Sequence, residues 1–205
     1  RLTLALAAYR LLGDLALPVL HLALARRASR GKEDPARRLE RRGIASRPRP
    51  FGPLAWVHCA SVGEVLSSLP LIERLCARGL RVLLTTATVS SANLMQTRLP
   101  EGALHQYVPV DRRAWVARFF AHWRPQLALF VESELWPNLI LEARARGVRL
   151  ALVNAHLSAK SFARWRRVPA SAQELIAAFA VLLAQDQSTA ERLTRLSGKL
   201  ATVTG

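Results

Sequence analysis

Apolar positions along the chain fall into two regimes. Residues 2–25 are nearly continuous Leu and Ala, interrupted by Tyr9, Arg10, Asp14, Pro18 and His21. From residue 53 onward, short apolar runs alternate with longer stretches at helical spacing. Runs at Leu54–Cys59, Leu80–Thr86, Leu104–Val110, Leu127–Val131, Leu150–Asn154 and Ala180–Gln185 predict strands buried on both faces, with a last short strand at Leu200–Val203. Between them, Glu64–Arg78, Thr88–Arg98, Arg112–Trp123, Leu135–Arg146, Ala170–Ala178 and Thr189–Leu196 predict helices. Gly79 and Gly147 stand where helices end, Pro125 stops a third, and Pro137 falls in a first helical turn. Strands alternating with helices of this length predict an α/β fold built on a doubly wound parallel sheet.

The Leu/Ala run is long enough for a bilayer span, which needs about 20 predominantly apolar residues. Arg10 and Asp14 oppose that reading at mid-bilayer, although their spacing of four lets them pair on one helix face. An anchor, a helix lying in the interface and an amphipathic helix docked on the protein all fit, and membrane association is the favoured expectation. No small-residue cleavage site follows the run, which argues against a signal peptide. The sequence divides into residues 1–50, an apolar helix and a basic linker, and residues 51–205, the α/β domain. The chain opens at Arg1 and closes on Thr204-Gly205 as if entering a turn, so it reads as part of a longer protein.

Charge sharpens this picture. Lys and Arg number 30 against 14 Asp and Glu, a formal net charge of +16. The first 50 residues alone carry 12 Lys/Arg against 4 Asp/Glu. Basic charge after an apolar helix is retained on the cytoplasmic side and attracted to anionic headgroups, while a solvated linker is the plainer alternative. Nucleic acid is not an expected partner, because aromatic residues do not interleave with the charge and no binding motif occurs. A hydrophobic fraction of 51% supports a substantial core. Cys59 and Cys76 form neither a metal spacing nor a disulfide framework and read as buried, reduced thiols.

Polar residues collect just after the strands, on the rim where parallel sheets bind ligands. The first turn carries Ser61, Gly63 and Glu64; the second Thr85, Thr86, Thr88, Ser90 and Ser91. Glu132, Ser133 and Glu134 follow the fourth strand; Asn154, His156, Ser158, Lys160 and Ser161 follow the fifth; Gln185, Asp186 and Gln187 follow the sixth. Ser61 and Glu64 have capping-box spacing, so Glu64 reads as a helix cap or as a catalytic carboxylate. Glu132 and Glu134 are open to the same two readings. His58 reads as a packed core histidine, and Lys160 and Arg164 suit an anionic group at the rim. No dinucleotide fingerprint, phosphate loop or metal-ligand cluster occurs, so neither a nucleotide cofactor nor a metal is expected.

Trp56-Val57-His58-Cys59-Ala60-Ser61-Val62-Gly63-Glu64 resembles a signature of the 3-deoxy-D-manno-octulosonic acid (Kdo) transferases. The resemblance continues through Glu132-Ser133-Glu134-Leu135-Trp136-Pro137-Asn138-Leu139-Ile140, Val153-Asn154-Ala155-His156-Leu157-Ser158-Ala159-Lys160-Ser161 and Thr202-Val203-Thr204-Gly205, and Tyr9-Arg10-Leu11-Leu12 is similar to the family's membrane-associated N-terminus. It implies one half of a GT-B enzyme, in which two Rossmann-like domains face across a cleft. This half would bind the acceptor, a lipid A precursor, and a missing C-terminal half the donor, CMP-Kdo. It implies a general base at Glu64, a functional acid at Glu132 or Glu134, no cofactor and no metal. Ser61, Gly63, Glu132, Glu134, Asn154, Ser158 and Lys160 become the expected substrate-binding residues. The cytoplasmic face of the inner membrane becomes the expected location, in lipopolysaccharide core biosynthesis, and the fragment alone is expected to be inactive. Two positions depart from the pattern: His156 replaces an Arg, and Thr88-Val89-Ser90-Ser91 lacks a Gly.

Three other functions are compatible with the chain. One is a different enzyme of the same fold, such as a nucleotide-sugar epimerase or another glycosyltransferase. Another is a non-enzymatic module that binds anionic lipid. The third, a nucleic-acid binder, would show steep salt dependence.

Overall fold

A computed structural model describes residues 2–132 and 135–204. Its centre is an all-parallel sheet of β1 (Leu54–His58), β2 (Arg81–Thr86), β3 (Ala103–Tyr107), β4 (Leu127–Val131), β5 (Arg149–Ala155), β6 (Val181–Ala184) and β7 (Thr202–Val203), in the order β3-β2-β1-β4-β5-β6-β7. The chain runs outward from β1 to β3, returns, and runs outward the other way from β4, so β1 and β4 meet at the topological switch point. This is the expected doubly wound, Rossmann-like sheet.

Alternation along the buried strands sorts the core into two layers. Val57, Cys59, Val82 and Leu84 pack with Val65 and Ile72 of α3 (Val62–Ala77) and Met95 of α4 (Val89–Arg98). Leu54, Trp56 and Phe130 face the opposite layer, built from α5 (Arg113–Trp123), α6 (Pro137–Ala145), α8 (Pro169–Ile176) and α9 (Gln187–Ser197). Trp56 is its centre: its ring lies 5.0–5.4 Å from those of Phe119, Phe120 and Phe130, and its Nε1–H donates to Thr85 Oγ1 at 2.8 Å. His58 is fully buried with Nδ1 3.0 Å from the same hydroxyl, the packed role expected of it. Cys59 is buried as expected, whereas Cys76 is only partly covered.

The apolar N-terminal run differs from the single helix expected. It forms α1 (Leu4–Leu15) and α2 (Leu17–Ser29), bent by 65°. Pro18 sits in the first turn of α2, where its missing N–H and its ring are tolerated at a helix start but would break a continuous helix. Arg10 and Asp14 do not pair with each other. Arg10 donates to Asn138 Oδ1 at 3.2 Å, and Asp14 lies 3.3 Å from the Arg112 guanidinium, because α1 docks on the domain with that face inward. Leu6 is buried beneath it, Thr3 Oγ1 bonds Ser171 Oγ at 2.6 Å, and His21 of α2 stacks on Trp115.

The basic stretch that follows is also packed onto the domain. A 3-10 turn, Arg38–Arg42, lies beside the edge strand β3 and pairs its backbone groups in place of a further strand. Arg37 donates to the His105 carbonyl, Glu40 accepts the Tyr107 N–H at 2.7 Å, Arg41 donates to the Val108 carbonyl, and Val110 N–H donates to the Arg41 carbonyl. An uncovered edge would leave those groups open to another strand. Glu40 is fully buried, which its bonds from Arg37 and Ser46 make tolerable. Glu33 holds Arg27 at 2.6 Å and Arg41 at 3.3 Å. Arg26, Arg30, Lys32, Arg38 and Arg47 remain exposed.

His105, in β3, accepts from Arg37 at Nδ1, so Nε2 carries the proton and donates to Thr86 Oγ1 at 2.8 Å. Burial and then the neighbouring charges of Arg37 and Arg47 push its pKa down to about 3. The unfolded chain takes up a proton below about pH 6.5 that the folded chain refuses until about pH 3. The stability this histidine contributes is therefore present above pH 6.5 and is lost as the pH falls through that window. Buried Asp111, whose carboxyl is pushed up chiefly by burial, acts in the opposite direction, so the test is a difference. Between pH 7 and pH 4 the unfolding free energy from urea titration should fall further for wild type than for His105→Gln, by on the order of 3 kcal/mol. Parallel declines would show that His105 is not the sensor.

Candidate functional site

β1 ends at His58, and Ser61, in extended conformation, caps α3. Its Oγ accepts the Glu64 N–H at 3.3 Å, and Glu64 Oε2 accepts the Ala60 N–H at 2.7 Å. This is a capping box closed one residue earlier than usual, and it fixes the Glu64 carboxylate at the mouth of the first turn. Glu64 is 7% exposed, while Ser61 and Gly63 beside it are exposed. A Cβ added to Gly63 would meet only Ser61 Oγ, at 4.0 Å, so packing does not require glycine there. Glycine inside a helix is unfavourable by roughly 1 kcal/mol, and its presence without a packing reason suits a close-approaching ligand.

β4 pairs directly with β1, with His58 opposite Phe130, so the turn after β4 sits beside the Glu64 turn. Glu132 opens it with φ +58°, and its N–H donates to the Val153 carbonyl at 3.1 Å. Asn154, next to it at the end of β5, has φ +50°. A left-handed conformation is readily adopted by Asn but unfavourable for Glu by about 1–2 kcal/mol. Two such residues on neighbouring strand ends, with a register shift in the β5–β6 pairing between Leu152 and Ala155, mark an irregular rim at the switch point. Glu134 and Ser133 lie outside the described residues.

The remaining expected residues take different roles. Ser158 caps α7 (Ala159–Trp165), a helix the sequence reading did not anticipate, by accepting the Ser161 N–H at 3.2 Å. Lys160 is exposed in the first turn of α7, on the same rim. Thr85 and Thr86 do not face the rim as expected; both are buried, their hydroxyls bonded to Trp56 and His105. Thr88 and Ser91 bond each other at the start of α4, and Asp186 caps α9, its carboxyl held below the usual range chiefly by the Thr189 N–H. Among the described residues no group of three His, Cys, Asp or Glu could hold a metal ion.

The turn after β3 also reaches the rim side of the sheet, although its sequence carries no polar cluster. It contributes Asp111, nine-tenths buried, whose Oδ2 accepts from the Tyr9 hydroxyl and the Asn138 N–H, each at 2.9 Å, and whose Oδ1 accepts the Leu139 N–H at 2.8 Å. It caps α6 from a distant part of the chain. A cleft of ≈ 180 Å³ lies beside it, walled by Ala87, Val108, Pro109, Val110, Trp136 and Leu139 with Arg41 at its edge. The sequence signal for this residue was slight: a single Asp at a strand–helix junction.

The arrangement places a fixed carboxylate, Glu64, beside an irregular turn that opens with Glu132. Residues 36–205 match the family model described as 3-Deoxy-D-manno-octulosonic-acid transferase (kdotransferase). A probable mitochondrial 3-deoxy-D-manno-octulosonic acid transferase of Arabidopsis thaliana is 41% identical over 159 residues, covering 77% of this chain and 36% of that protein. The 3-deoxy-D-manno-octulosonic acid transferase of Rickettsia bellii is 36% identical over 190 residues, 92% of this chain and 45% of the relative. That of Bordetella pertussis is 36% identical over 169 residues, 80% and 40% respectively. The chain thus spans less than half the length of these relatives. On the match across most of its length, the chain belongs to the 3-deoxy-D-manno-octulosonic acid transferase family.

Proposed function

We propose that this chain is the acceptor-binding half of a glycosyltransferase that moves Kdo from CMP-Kdo to a lipid A precursor at the cytoplasmic face of the inner membrane. The observation that carries the reading is the Glu64 carboxylate, fixed at the switch point beside the Glu132 turn. An acceptor hydroxyl is a weak nucleophile. As its oxygen bonds to the anomeric carbon of Kdo, the bond from that carbon to the CMP phosphate oxygen breaks. CMP leaves with the electron pair, and Glu64 takes the hydroxyl proton. Ser61, Gly63, Asn154, Ser158 and Lys160 supply hydrogen bonds and charge along the rim, and the second half of the enzyme presents the donor across the cleft. No metal is assigned to the reaction.

The N-terminal helices support the membrane part of the reading. No single described helix is long and apolar enough to cross a bilayer, and α1 has one face bonded to the domain. Its other face exposes Leu4, Leu11, Leu12 and Leu15, continued by Val19 and Leu22 of α2, with Arg26, Arg30 and Lys32 following. An L-shaped apolar surface bordered by cations suits a helix pair lying in an anionic interface, each surface cation adding about 1 kcal/mol.

The test is transfer by the full-length protein from CMP-Kdo to an acceptor in phosphatidylglycerol-containing vesicles, read as CMP released and as Kdo-bearing lipid. Leu11→Asp with Leu15→Asp should lower vesicle binding and transfer at least about tenfold, yet spare transfer to acceptor dispersed in detergent. Failure of the full-length protein to use CMP-Kdo under either condition would refute the reading.

A further inference from the structure

The helix that faces the membrane in the proposed reading is bonded directly to the base of the rim. Tyr9 of α1 donates its hydroxyl to Asp111 Oδ2 at 2.9 Å. The same carboxylate receives the Asn138 and Leu139 N–H groups, which open α6, and the Asn138 side chain donates back to the Asp111 carbonyl at 2.7 Å. Arg10, the next residue on α1, donates to Asn138 Oδ1 at 3.2 Å. Asp14, one turn on, pairs with Arg112, the residue after Asp111. Three elements distant in sequence thus close on one carboxylate: α1, the β3–α5 turn, and the first turn of α6.

Position makes this clasp more than packing. The first turn of α6 follows along the chain from the left-handed turn at Glu132 on the rim. α6 opens with Pro137 and has no side-chain cap of its own, so Asp111 substitutes for one. Whatever fixes Asp111 fixes where α6 begins. Tyr9 is the only described side chain that donates to that carboxylate, and it sits on the element that would meet lipid.

We propose that Tyr9 is a positioning residue: through Asp111 it holds the first turn of α6 in its working place, so that seating of α1 on a surface and placement of the α6 terminus at the rim are one event. This deepens the glycosyltransferase reading and rests on it. Tyr9 touches no substrate; its effect passes through Asp111 to the α6 terminus.

The test uses full-length protein carrying Tyr9→Phe, Asp111→Asn or both, with Ser171→Ala as control. The control removes the bond between α1 and α8 at Thr3 and leaves the clasp untouched. Tyr9→Phe should lower kcat about tenfold, the scale of losing a hydrogen bond to a charged acceptor, while acceptor KM and vesicle binding keep their wild-type values. Ser171→Ala should keep wild-type kcat, and the double variant should be no slower than Asp111→Asn alone. Amide hydrogen exchange across residues 135–141 should quicken in Tyr9→Phe and not in Ser171→Ala. Wild-type kcat in Tyr9→Phe, or equal losses in Tyr9→Phe and Ser171→Ala, would overturn the proposal. If wild-type protein transfers no Kdo, the glycosyltransferase reading fails separately, and unchanged exchange in Tyr9→Phe would then overturn the clasp as well.

Discussion

Glu64→Gln is expected to reduce kcat for Kdo transfer by roughly a thousandfold, within the range for removing a general base, while the unfolding midpoint stays close to wild type. The separation between the two readouts follows from the local geometry. Glu64 has a structural task, accepting the Ala60 N–H, which a glutamine carbonyl performs as well. It has a proposed chemical task, taking a proton, which an amide cannot perform. Glu64→Ala removes both, and should add the loss of a cap, about 1 kcal/mol, to the loss of turnover. Transfer assays and thermal melts on the same three proteins distinguish the cases. Turnover near wild type in Glu64→Gln would place the base elsewhere, with the acidic turn after β4 the first alternative.

Much of this site was legible in the sequence because its logic is local. A strand buried on both faces reads as a continuous apolar run, and Ser61 followed at three residues by Glu64 reads as a cap; both were found where expected. The doubly wound order follows from alternating strands and helices and the handedness of their crossovers. What stayed hidden depends on distance. Tyr9 and Asp111 are 102 residues apart, and nothing in either neighbourhood announces the other. Arg37, Glu40 and Arg41 look like part of a solvated basic run, yet they pair the backbone of an edge strand some 67 residues away. Arg10 and Asp14 have the spacing of a helical ion pair, but each finds a partner on the domain because the docked face of α1 turns both inward. The left-handed turn at Glu132 carries no glycine to reveal it, and Asn154 takes the same conformation at a residue type that adopts it readily.

The packing of that basic run leads to the largest stability effect expected in the molecule. Gly43 ends the 3-10 turn with φ +75°, and a Cβ placed there would stand 1.9 Å from the Trp115 carbonyl oxygen, 2.9 Å from its carbon and 3.1 Å from the Phe119 nitrogen. All three are backbone atoms of α5, so no side chain can rotate away. Either α5 retreats from the sheet, opening the layer that holds Trp115 and Phe119, or the turn lifts and withdraws Glu40 from the Tyr107 N–H. The second route leaves an acid buried with incomplete partners and exposes the edge of β3. Gly43→Ala is therefore expected to destabilise the fold by about 4 kcal/mol, a large share of a typical margin of roughly 5–15 kcal/mol. Gly31→Ala supplies the comparison. Gly31 has φ +66° but nothing within 4 Å of an added Cβ, so only the backbone conformation resists the change, by about 1 kcal/mol. Urea titrations of the two variants against wild type measure the difference. Equal losses would mean that the turn does not press on α5, and the account of a basic segment folded as the cover of β3 would fail with it.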